Sequence, residues 1–279
     1  MIYCPAFEIA CGLWRNMLFF NTLEPNEHLI SDNDRRDAML HLLRERTTAS
    51  LAEIAERFQV SEMTVRRDIQ KLAASGQVIR VPGGARIERS FGGEKSFFER
   101  LQRMGDAKQS IGKAAAALIE DGQSATIDSG TTTLYIARHL RQHRNISIFT
   151  FSLAVLEELS GCDSVRVELT GGTYRRSSHD LIGHAVDEAL STIHTDKVFF
   201  GAAALSFRKG VMVYDPEAPR GLLQTANKRI LVLDSSKIDR EARFGYCRLE
   251  QCDLIVTDRG IAPEALKRLS RLRKVIVAE

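Results

Sequence analysis

Apolar residues recur at helical spacing near the start of the chain. In the segment RRDAMLHLLRER, Met39, Leu42 and Leu43 stand at positions i, i+3 and i+4, which predicts an amphipathic helix. The segment SLAEIAERF predicts a second, short helix, because Ser50 is a favoured N-cap residue and Glu53 follows three residues later. The tripeptide QVS that comes next is a tight connection.

A third helix is predicted for the segment SEMTVRRDIQKL, with Ser61 as its cap. Val65, Ile69 and Leu72 point to one side, so at about 100° per residue the opposite side is polar and basic. The outward positions are Met63, Arg67 and Gln70, with Thr64, Arg66 and Lys71 beside them. Asp68 lies toward the inward side, and we expect it to bind an arginine of its own domain.

Two short helices joined by a tight turn form a helix-turn-helix, whose second helix lies in the major groove of DNA. The segment QVIRVPGGARI alternates and turns at Pro-Gly-Gly, which predicts a small two-stranded wing. The sequence thus predicts a mainly α winged helix-turn-helix over residues 35–89. The residues expected at double-stranded DNA are Ser61, Met63, Thr64, Arg66, Arg67, Gln70, Lys71, Arg80, Gly83 and Gly84.

The side chains of the third helix suit a DNA partner. Arg66, Arg67 and Lys71 can neutralise phosphates, and Gln70 or an arginine can present paired hydrogen bonds to base edges. Met63 can contact a thymine methyl group. Each basic residue taken alone is equally typical of a solvated surface. A capped helix, a short turn, a capped basic helix and a glycine turn in immediate succession nevertheless favour DNA binding.

Charge is unevenly distributed along the chain. Residues 35–89 carry eleven Lys or Arg against seven Asp or Glu, a local charge of +4, whereas all 279 residues together carry +3. The remainder is therefore slightly negative. This asymmetry indicates that the N-terminal part binds a polyanion.

Short apolar runs alternate with helical segments from about residue 106 onward. The strand-like runs are SATIDSG, ISIFTFS, RVELTGG, KVFFGAA, ILVLDSS, LIVTD and VIVA. Helical segments such as TTLYIARHLRQ and SLAVLEELS lie between them. Alternation of this kind predicts right-handed βαβ units and an α/β domain with a mostly parallel sheet.

Polar loops follow three of these strands, and open parallel sheets bind ligands beyond the carboxyl ends of their strands. The loop DSGTTT combines a glycine, hydroxyl groups and a helix N-terminus, which favours an anion such as phosphate. Taken singly, this loop is equally typical of a helix cap, and the later glycine pair of a plain turn. Convergence of the three loops favours an effector site. The residues expected there are Asp128, Ser129, Gly130, Thr131, Thr132, Gly171, Gly172, Asp234 and Lys237.

Residues 90–105 are polar, contain a glycine pair and show no sustained period, so we interpret them as a linker. Phe97 and Phe98 are expected to dock this linker on the larger domain, residues 106–279. Residues 1–34 are interpreted as a disordered extension or as the product of a misassigned start codon.

The five cysteines are odd in number and lack C-x-x-C spacing, which favours a reducing cytoplasm and no zinc site. No apolar run reaches the roughly eighteen residues needed to span a bilayer, and no export signal is evident. We therefore expect a cytoplasmic protein with no metal, no cofactor and no membrane partner.

The segment LAEIAERFQVSEMTVRRDIQKLAASGQVIRVPGGA resembles the N-terminal winged helix-turn-helix of DeoR-type bacterial transcription regulators. Its VSEMTVRRDI matches the pattern VS-x-x-T-[IV]-R-R-D-[IL], and RVPGGA matches the closing R-x-x-GGA. Arg100, KQSIG, DSGTT, TGG, Gly183, DSSK and VTD resemble the sensor domain of that family, and the likeness runs from Phe97 to the end.

This resemblance implies a sequence-specific repressor whose C-terminal domain is similar in fold to ribose-5-phosphate isomerases and binds phosphorylated sugars. We expect a homo-oligomer, a dimer or tetramer, on a pseudo-palindromic operator. One departure lies after the second strand, where Thr150 is followed by Phe151 and not by the asparagine usual in the family. Another places Pro219 where the family has a lysine.

Two other functions compete with this interpretation. One is a sugar-phosphate isomerase with an appended DNA module; isomerases of similar fold carry an acidic pair after Gly-Ala, whereas Ala203 and Ala204 stand there in this chain. The other is a dinucleotide-binding domain, but no G-x-G-x-x-G follows the first strand. The sequence thus predicts a domain that binds a sugar phosphate without converting it.

Overall fold

The computed structural model describes residues 31–74, 78–86 and 96–279. Most of the predicted N-terminal extension and the glycine pair of the linker lie outside these residues. The first helix begins at Asp32, slightly before the expected start at Arg35. Ser31 sets this start, because its Oγ accepts a hydrogen bond from the Asp34 amide at 3.2 Å.

The N-terminal part, which we call the head domain, is a winged helix-turn-helix. Its elements are α1 (Asp32–Arg46), β1 (Thr48–Ser50), α2 (Leu51–Phe58), α3 (Glu62–Ala74), β2 (Ile79–Val81) and β3 (Gly84–Arg86). The three predicted helices and the wing hairpin are confirmed. Strand β1 was not expected from the sequence; it pairs antiparallel with β3 and gives the wing three strands in the order β1-β3-β2.

The head domain has an apolar core of its own. Helix α2 starts with a capping box, in which Ser50 Oγ accepts from the Glu53 amide at 3.1 Å and the Glu53 carboxylate accepts from the Ser50 amide at 2.7 Å. The core includes Met39, Leu42, Leu43, Ile54, Val65, Ile69, Leu72 and Val78. Burying one such side chain contributes about 1.5 to 3 kcal/mol, so this cluster is the main source of stability in the head domain.

A short helix, α4 (Phe97–Leu101), lies within the region interpreted as a linker. It forms despite the absence of a sustained apolar period because Ser96 and Glu99 make a second capping box. Phe97 is only 1% exposed and packs against the larger domain. The expected docking of Phe97 is therefore confirmed.

The larger domain is built on a seven-stranded sheet in which all neighbouring strands are parallel. Its strands are β4 (Ser124–Ile127), β5 (Ile146–Thr150), β6 (Val165–Leu169), β9 (Thr195–Phe200), β12 (Ala226–Val232), β14 (Leu254–Asp258) and β15 (Lys274–Ala278). The helices are α5 (Gly105–Ala116), α6 (Thr131–His139), α7 (Leu153–Leu159), α8 (His184–Thr192) and α9 (Pro263–Leu272). All seven predicted strands are present. No helix in the described part of the chain combines the length and apolar character that crossing a membrane requires.

The strand order places a crevice near the middle of this sheet. The spatial order is β15-β14-β12-β9-β4-β5-β6. The chain enters at β4, moves outward to β6, returns to β9 on the other side of β4 and then moves outward to β15. Loops leaving β4 and β9 therefore diverge, which leaves a crevice at the carboxyl ends of these strands.

The larger domain also contains smaller β elements outside the main sheet. They are the hairpin β7 (Thr173–Arg175) and β8 (Asp180–Ile182), and an antiparallel sheet of β10 (Ala204–Ser206), β11 (Gly210–Val213) and β13 (Phe244–Cys247). Their strands are three or four residues long, too short to show a reliable alternation in the sequence. Tertiary packing, more than local pattern, determines that they form.

Candidate nucleic-acid interface and ligand cavity

Helix α3 separates a buried face from an exposed face, as the sequence predicts. Val65, Ile69 and Leu72 are buried in the core of the head domain. Asp68 is 2% exposed and accepts hydrogen bonds from two arginines of α1, the nearer being Arg35, whose Nε lies 2.8 Å away. The expected pairing of Asp68 with its own domain is confirmed, and it ties α3 to α1.

The opposite face of α3 is open to solvent. Met63 is 61% exposed, which is unusual for a large apolar side chain. The other exposed positions are Ser61, Arg66, Arg67, Gln70 and Lys71. Thr64 is half-buried, and its amide donates to Ser61 Oγ at 3.2 Å, so Ser61 caps the helix as predicted. This face carries cations and a hydrogen-bonding amide with no protein layer over it among the described residues.

The wing contributes two exposed positions beside this face. Arg80 and Gly83 are exposed, and Gly83 has a φ of +75°, the left-handed region that glycine adopts without strain. Gly84 is different because it is buried, and a Cβ built on it would lie 2.3 Å from the Ala49 carbonyl oxygen. The structure corrects the prediction for Gly84, which allows β3 to pack closely on β1 and is not exposed for a DNA contact.

A cavity of about 610 Å³ occupies the crevice at the carboxyl ends of β4, β5, β9 and β12. Its position is the usual ligand site of an open α/β sheet, and its volume suits a small organic ligand. Seven of the nine residues expected to bind an effector line it: Asp128, Ser129, Gly130, Thr131, Thr132, Asp234 and Lys237. The loops after β4 and β12 therefore converge as expected.

The glycine pair after β6 is not part of the cavity lining. Strand β6 is the edge of the sheet, two strands away from β4. Gly171 and Gly172 have φ values of +78° and +125°, and a Cβ on Gly172 would lie 2.8 Å from the carbonyl oxygen of Ile182. The expectation that all three loops meet is corrected here, because these glycines turn the chain from β6 into the hairpin β7–β8.

Asp128 connects two walls of the cavity. Its carboxylate accepts from the Gly201 amide at 2.9 Å and from the Ser129 amide at 2.7 Å. Burial raises the pKa of Asp128 to about 6, and the two amide hydrogen bonds oppose this rise. Because both oxygens already accept backbone donors, Asp128 fixes the loop after β4 against the loop after β9.

The N-terminus of α6 forms another part of the lining. Gly130 is its N-cap and supplies no side-chain cap, so the partial positive charge of the helix end is available to a ligand. Thr133 Oγ1 donates to the carbonyl groups of Asp128 and Gly130, at 2.7 Å each, and holds the loop in shape. Ser129 Oγ donates to the Asp180 carboxylate at 2.8 Å.

Five cationic side chains line the cavity, and among them Lys237 alone was expected from the sequence to bind an effector. The others are Arg100, Arg103, Lys108 and Arg175. A signal for Lys108 was present, because it lies one helical turn before Ile111 and Gly112, on the buried face of α5. A charged residue on an apolar helix face is a candidate for function.

Lys108 is 3% exposed, and its ammonium group lies at the end of α4. The Nζ atom donates to the carbonyl of Arg100 and, at 2.5 Å, to that of Arg103. Burial lowers the pKa of Lys108 to about 8, and the charge of Asp234 opposes this change. Lys108 is therefore still mainly charged at neutral pH, and its positive charge stabilises the C-terminal end of α4.

Arg175 is held between two carboxylates. Its Nε and Nη2 atoms donate to the two oxygens of Asp180 at 2.9 and 2.7 Å, and Nη1 donates to Asp215. Asp180 is fully buried, and it also accepts from Ser129. Bidentate pairs of this kind fix the orientation of the guanidinium group.

No group of three or more His, Cys, Asp or Glu side chains is placed to hold a metal ion within residues 31–74, 78–86 and 96–279. Cations, carboxylates and hydroxyl groups line the cavity. This set can bind a polar anion through charge and hydrogen bonds.

Two family profiles match the chain. The profile described as "DeoR-like helix-turn-helix domain" matches residues 35–91. The profile described as "DeoR C terminal sensor domain" matches residues 103–259, which is more than half of the chain. The first covers the head domain, and the second covers most of the domain that contains the cavity.

Curated relatives match over most of their length. The chain is 31% identical over 229 residues to the HTH-type transcriptional repressor GlcR of Bacillus subtilis (strain 168), covering 81% of this chain and 88% of the relative. It is 30% identical over 248 residues to the lactose phosphotransferase system repressor of Streptococcus mutans serotype c, covering 87% and 98%. The transcriptional repressor AccR of Agrobacterium fabrum is 26% identical over 251 residues, covering 88% and 97%.

Solved structures match part of the fold. Ribose 5-phosphate isomerase A from Methanocaldococcus jannaschii has a TM-score of 0.36 at 16% identity, covering 48% of this chain and 54% of that one. RipA from Yersinia pestis has a TM-score of 0.42 at 14% identity, covering 60% and 48%.

Proposed function

The chain belongs to the DeoR family of transcriptional regulators, and we propose that it represses genes of sugar or carbohydrate metabolism under the control of a phosphorylated sugar. One observation carries this proposal. A head domain with an exposed basic helix is joined to a domain whose cavity combines five cations with the N-terminus of α6. The first arrangement suits DNA, and the second suits a phosphate group.

The exposed face of α3 supports DNA binding. Arg66 and Arg67 are exposed on the helix that follows the helix-turn-helix turn, and Gln70 lies one turn further along. Arginines supply phosphate contacts or bidentate contacts to guanine, and a glutamine can pair with adenine. Arg80 on the wing extends the same positive surface. We infer that α3 enters the major groove while the wing lies against the backbone.

The charges and hydroxyl groups of the cavity support a phosphorylated sugar as the effector. Five cations face three carboxylates, Asp128, Asp215 and Asp234, so the lining has a net positive charge that suits a phosphate group. Ser129 and Thr131 add hydroxyl donors at the start of α6. Carboxylates can accept hydrogen bonds from sugar hydroxyls. Similarity to a lactose phosphotransferase system repressor supports a role in sugar metabolism.

This chain is a regulator and not an enzyme, in keeping with relatives that are named as transcriptional repressors. The alternative of a sugar-phosphate isomerase is not favoured. Ala203 lines the cavity and Ala204 begins β10, where the isomerase pattern has its acidic pair. The three carboxylates that do line the cavity already accept hydrogen bonds from protein groups.

Oligomerisation and location are further parts of the proposal. Paired recognition helices in a dimer or tetramer match the two half-sites of a pseudo-palindromic operator. A regulator of this kind works where the chromosome is, so we propose a cytoplasmic homo-oligomer.

A thermal-shift experiment tests the effector class. Glucose 6-phosphate, fructose 1-phosphate and ribose 5-phosphate are each compared with the unphosphorylated sugar, using the full chain. A ligand that binds only the folded state adds about 2.7 kcal/mol to the free energy of unfolding at a hundredfold excess over its Kd. We expect at least one phosphorylated sugar to raise the melting temperature and its parent sugar to have little effect.

The matched variants Lys237→Ala and Lys228→Ala complete this test. Lys237 lines the cavity, whereas Lys228 is an exposed residue of β12. We expect Lys237→Ala to reduce the shift and Lys228→Ala to preserve it. Equal shifts with phosphorylated and plain sugars, or none with either, would contradict the effector class without affecting the assignment of DNA binding.

A further inference from the structure

The hairpin β7–β8 contacts the cavity on one side and both α4 and the head domain on the other. We propose that this hairpin, through Arg175 and Arg176, transmits occupancy of the cavity to the head domain. This inference rests on the proposed control by an effector, and it names the contacts through which ligand binding affects the head domain. Two neighbouring arginines have distinct roles in this route, one toward the cavity and one toward the wing.

On the cavity side the hairpin is held by a charged network. Arg175 lines the cavity and pairs with Asp180, the first residue of β8, and with Asp215 in the loop after β11. Asp180 also accepts from Ser129 at 2.8 Å. Ser129 belongs to the loop that begins α6, so one carboxylate links that loop to the hairpin.

On the other side the turn of the hairpin contacts two elements outside the sheet. Arg176 Nη2 donates to the carbonyl oxygen of Val78, immediately before β2 of the wing, at 3.3 Å. The Ser177 carbonyl accepts from the amide of Phe97, the first residue of α4, at 2.8 Å. The ring of His179 lies 5.8 Å from that of Phe97 between centroids. The turn thus touches both α4 and the head domain.

An anion in the cavity competes for the groups that hold the hairpin. A phosphate at the start of α6 is an acceptor for Ser129 Oγ and a partner for the Arg175 guanidinium, and both now bind Asp180. The strands of the hairpin are only three residues long, and backbone bonds join Leu181 and His179 to Phe151 and Leu153. The side-chain bonds of Asp180 add to these on the side that faces the cavity. When they are redistributed, the turn shifts, and with it the contacts to Val78 and Phe97.

Arg176 offers a test because it is absent from the cavity lining. The variant Arg176→Ala removes the hydrogen bond to Val78 and leaves the cavity groups in place. Arg176→Lys retains one donor. Arg166→Ala is the matched control, since Arg166 is an exposed arginine of the edge strand β6 that pairs with Glu168.

The experiment measures how strongly ligand and DNA binding affect one another in the full chain. The DNA is a duplex enriched by the wild-type protein from a random-sequence pool, and the probes are inorganic phosphate and the three sugar phosphates above. Duplex affinity is measured with and without probe, and probe affinity is measured separately by calorimetry. The ratio of the two duplex affinities cancels any change in basal DNA binding.

We expect a probe to change the duplex affinity of the wild type by about 5- to 150-fold, the usual range of coupling between two sites. Arg176→Ala should reduce this ratio by about fivefold, the equivalent of one ordinary hydrogen bond, with probe affinity unchanged. Arg176→Lys should restore part of it, and Arg166→Ala should match the wild type.

Three results overturn the proposal, and they are distinguishable. An Arg176→Ala ratio equal to that of the wild type excludes the hairpin as the route, while control by the effector stands. Probe binding that leaves duplex affinity unchanged in the wild type excludes coupling but leaves the ligand site. Failure of every probe to bind removes the proposed effector class and this inference together.

Discussion

Lys108 is a buried cation, and its surroundings decide how firmly it holds its proton. Burial lowers its pKa to about 8, close to physiological pH. The groups that act on it are Asp234, which favours the charged form, and Lys237, Arg100 and Arg103, which oppose it. An anionic ligand in the same cavity would favour the charged form as well, so ligand binding and protonation of Lys108 are linked.

Affinity for a phosphorylated ligand should therefore depend on pH. Below about pH 8 the Lys108 ammonium is present and attracts the phosphate; as pH rises through about 8 the charge is lost and affinity falls. We expect Lys108→Gln to weaken binding at pH 7 and to remove this pH dependence. Calorimetry at several pH values between about 6.5 and about 9, on both sides of this pKa, measures the pH dependence of the affinity.

The matched control for that series is Lys197→Gln. Lys197 is also buried, and burial also lowers its pKa, but it is not part of the cavity lining. Its variant should keep the pH dependence of the wild type. Identical profiles for the wild type and Lys108→Gln would show that Lys108 does not meet the ligand.

Arg67 is the residue on which the orientation of the head domain on DNA is most simply tested. It is exposed on α3, opposite the buried Val65 and Ile69. We expect Arg67→Ala to weaken operator binding, by about 1 to 3 kcal/mol where the lost contact is a bidentate one to guanine. A phosphate contact would also reduce the slope of log affinity against log salt by about one.

Gel-shift titrations at several salt concentrations distinguish these two contacts. Arg166→Ala in the larger domain removes an equally ordinary arginine, exposed on an edge strand, and should leave operator affinity unchanged. If Arg67→Ala binds as tightly as the wild type at moderate salt, the face of α3 proposed here is not the one that meets DNA.

At the scale of elements, the wing depends on a close approach between two backbones. Strand β1 pairs with β3 at Ser50 and Gly84, and no side chain fits between them at that position. The same pairing fixes Ser50, whose side chain caps α2. By allowing β3 to pair closely with β1, Gly84 therefore helps to position Ser50 and the start of α2.

Gly84→Ala should destabilise the head domain. The added methyl group would meet the Ala49 carbonyl at 2.3 Å, and backbone must move to admit it. Overpacking of this kind costs about 1 to 3 kcal/mol. Urea unfolding followed by circular dichroism, together with operator affinity, measures the loss. Gly245→Ala is the control, because a Cβ there meets no atom within 4 Å; equal stability of both variants would contradict the role given to Gly84.

At the scale of the whole molecule, the basic surface and the ligand cavity belong to different domains. The head domain lies in the basic part of the sequence and has its own core, whereas the cavity lies at the reversal of strand order in the larger domain. The surface proposed to bind DNA and the cavity proposed to bind an effector therefore lie in different domains. Communication between them requires contacts such as those of the hairpin turn with Phe97 and Val78.

A symmetric assembly should bind two half-sites at once. We expect light scattering to give a dimer or tetramer, and an operator whose half-sites are about 10 base pairs, or a multiple, apart. Destroying one half-site should lower affinity sharply because the second contact is no longer intramolecular. A monomer with equal affinity for one and two half-sites would contradict this arrangement.

Local patterns in the sequence were sufficient to predict most of the helices and strands. The capping residues Ser50 and Ser61, the inward face of α3 and all seven parallel strands follow from spacing and cap chemistry, which depend on neighbours within a few residues. Several of the short elements were missed, although the strands of the parallel sheet and the wing hairpin were predicted. Helix α4, the strand β1 and the hairpin β7–β8 are too short to show a period, and long-range contacts stabilise them.

By itself the sequence determined the division into a basic head and an α/β domain, the inward and outward faces of α3, and the loop that begins α6. Only the tertiary structure decided that Gly84 is a packing residue, that Gly171 and Gly172 lie outside the cavity, and that Lys108 and Arg175 lie inside it. The physical reason is that periodicity and capping act along the chain, whereas a cavity is formed by side chains that the order of strands brings together.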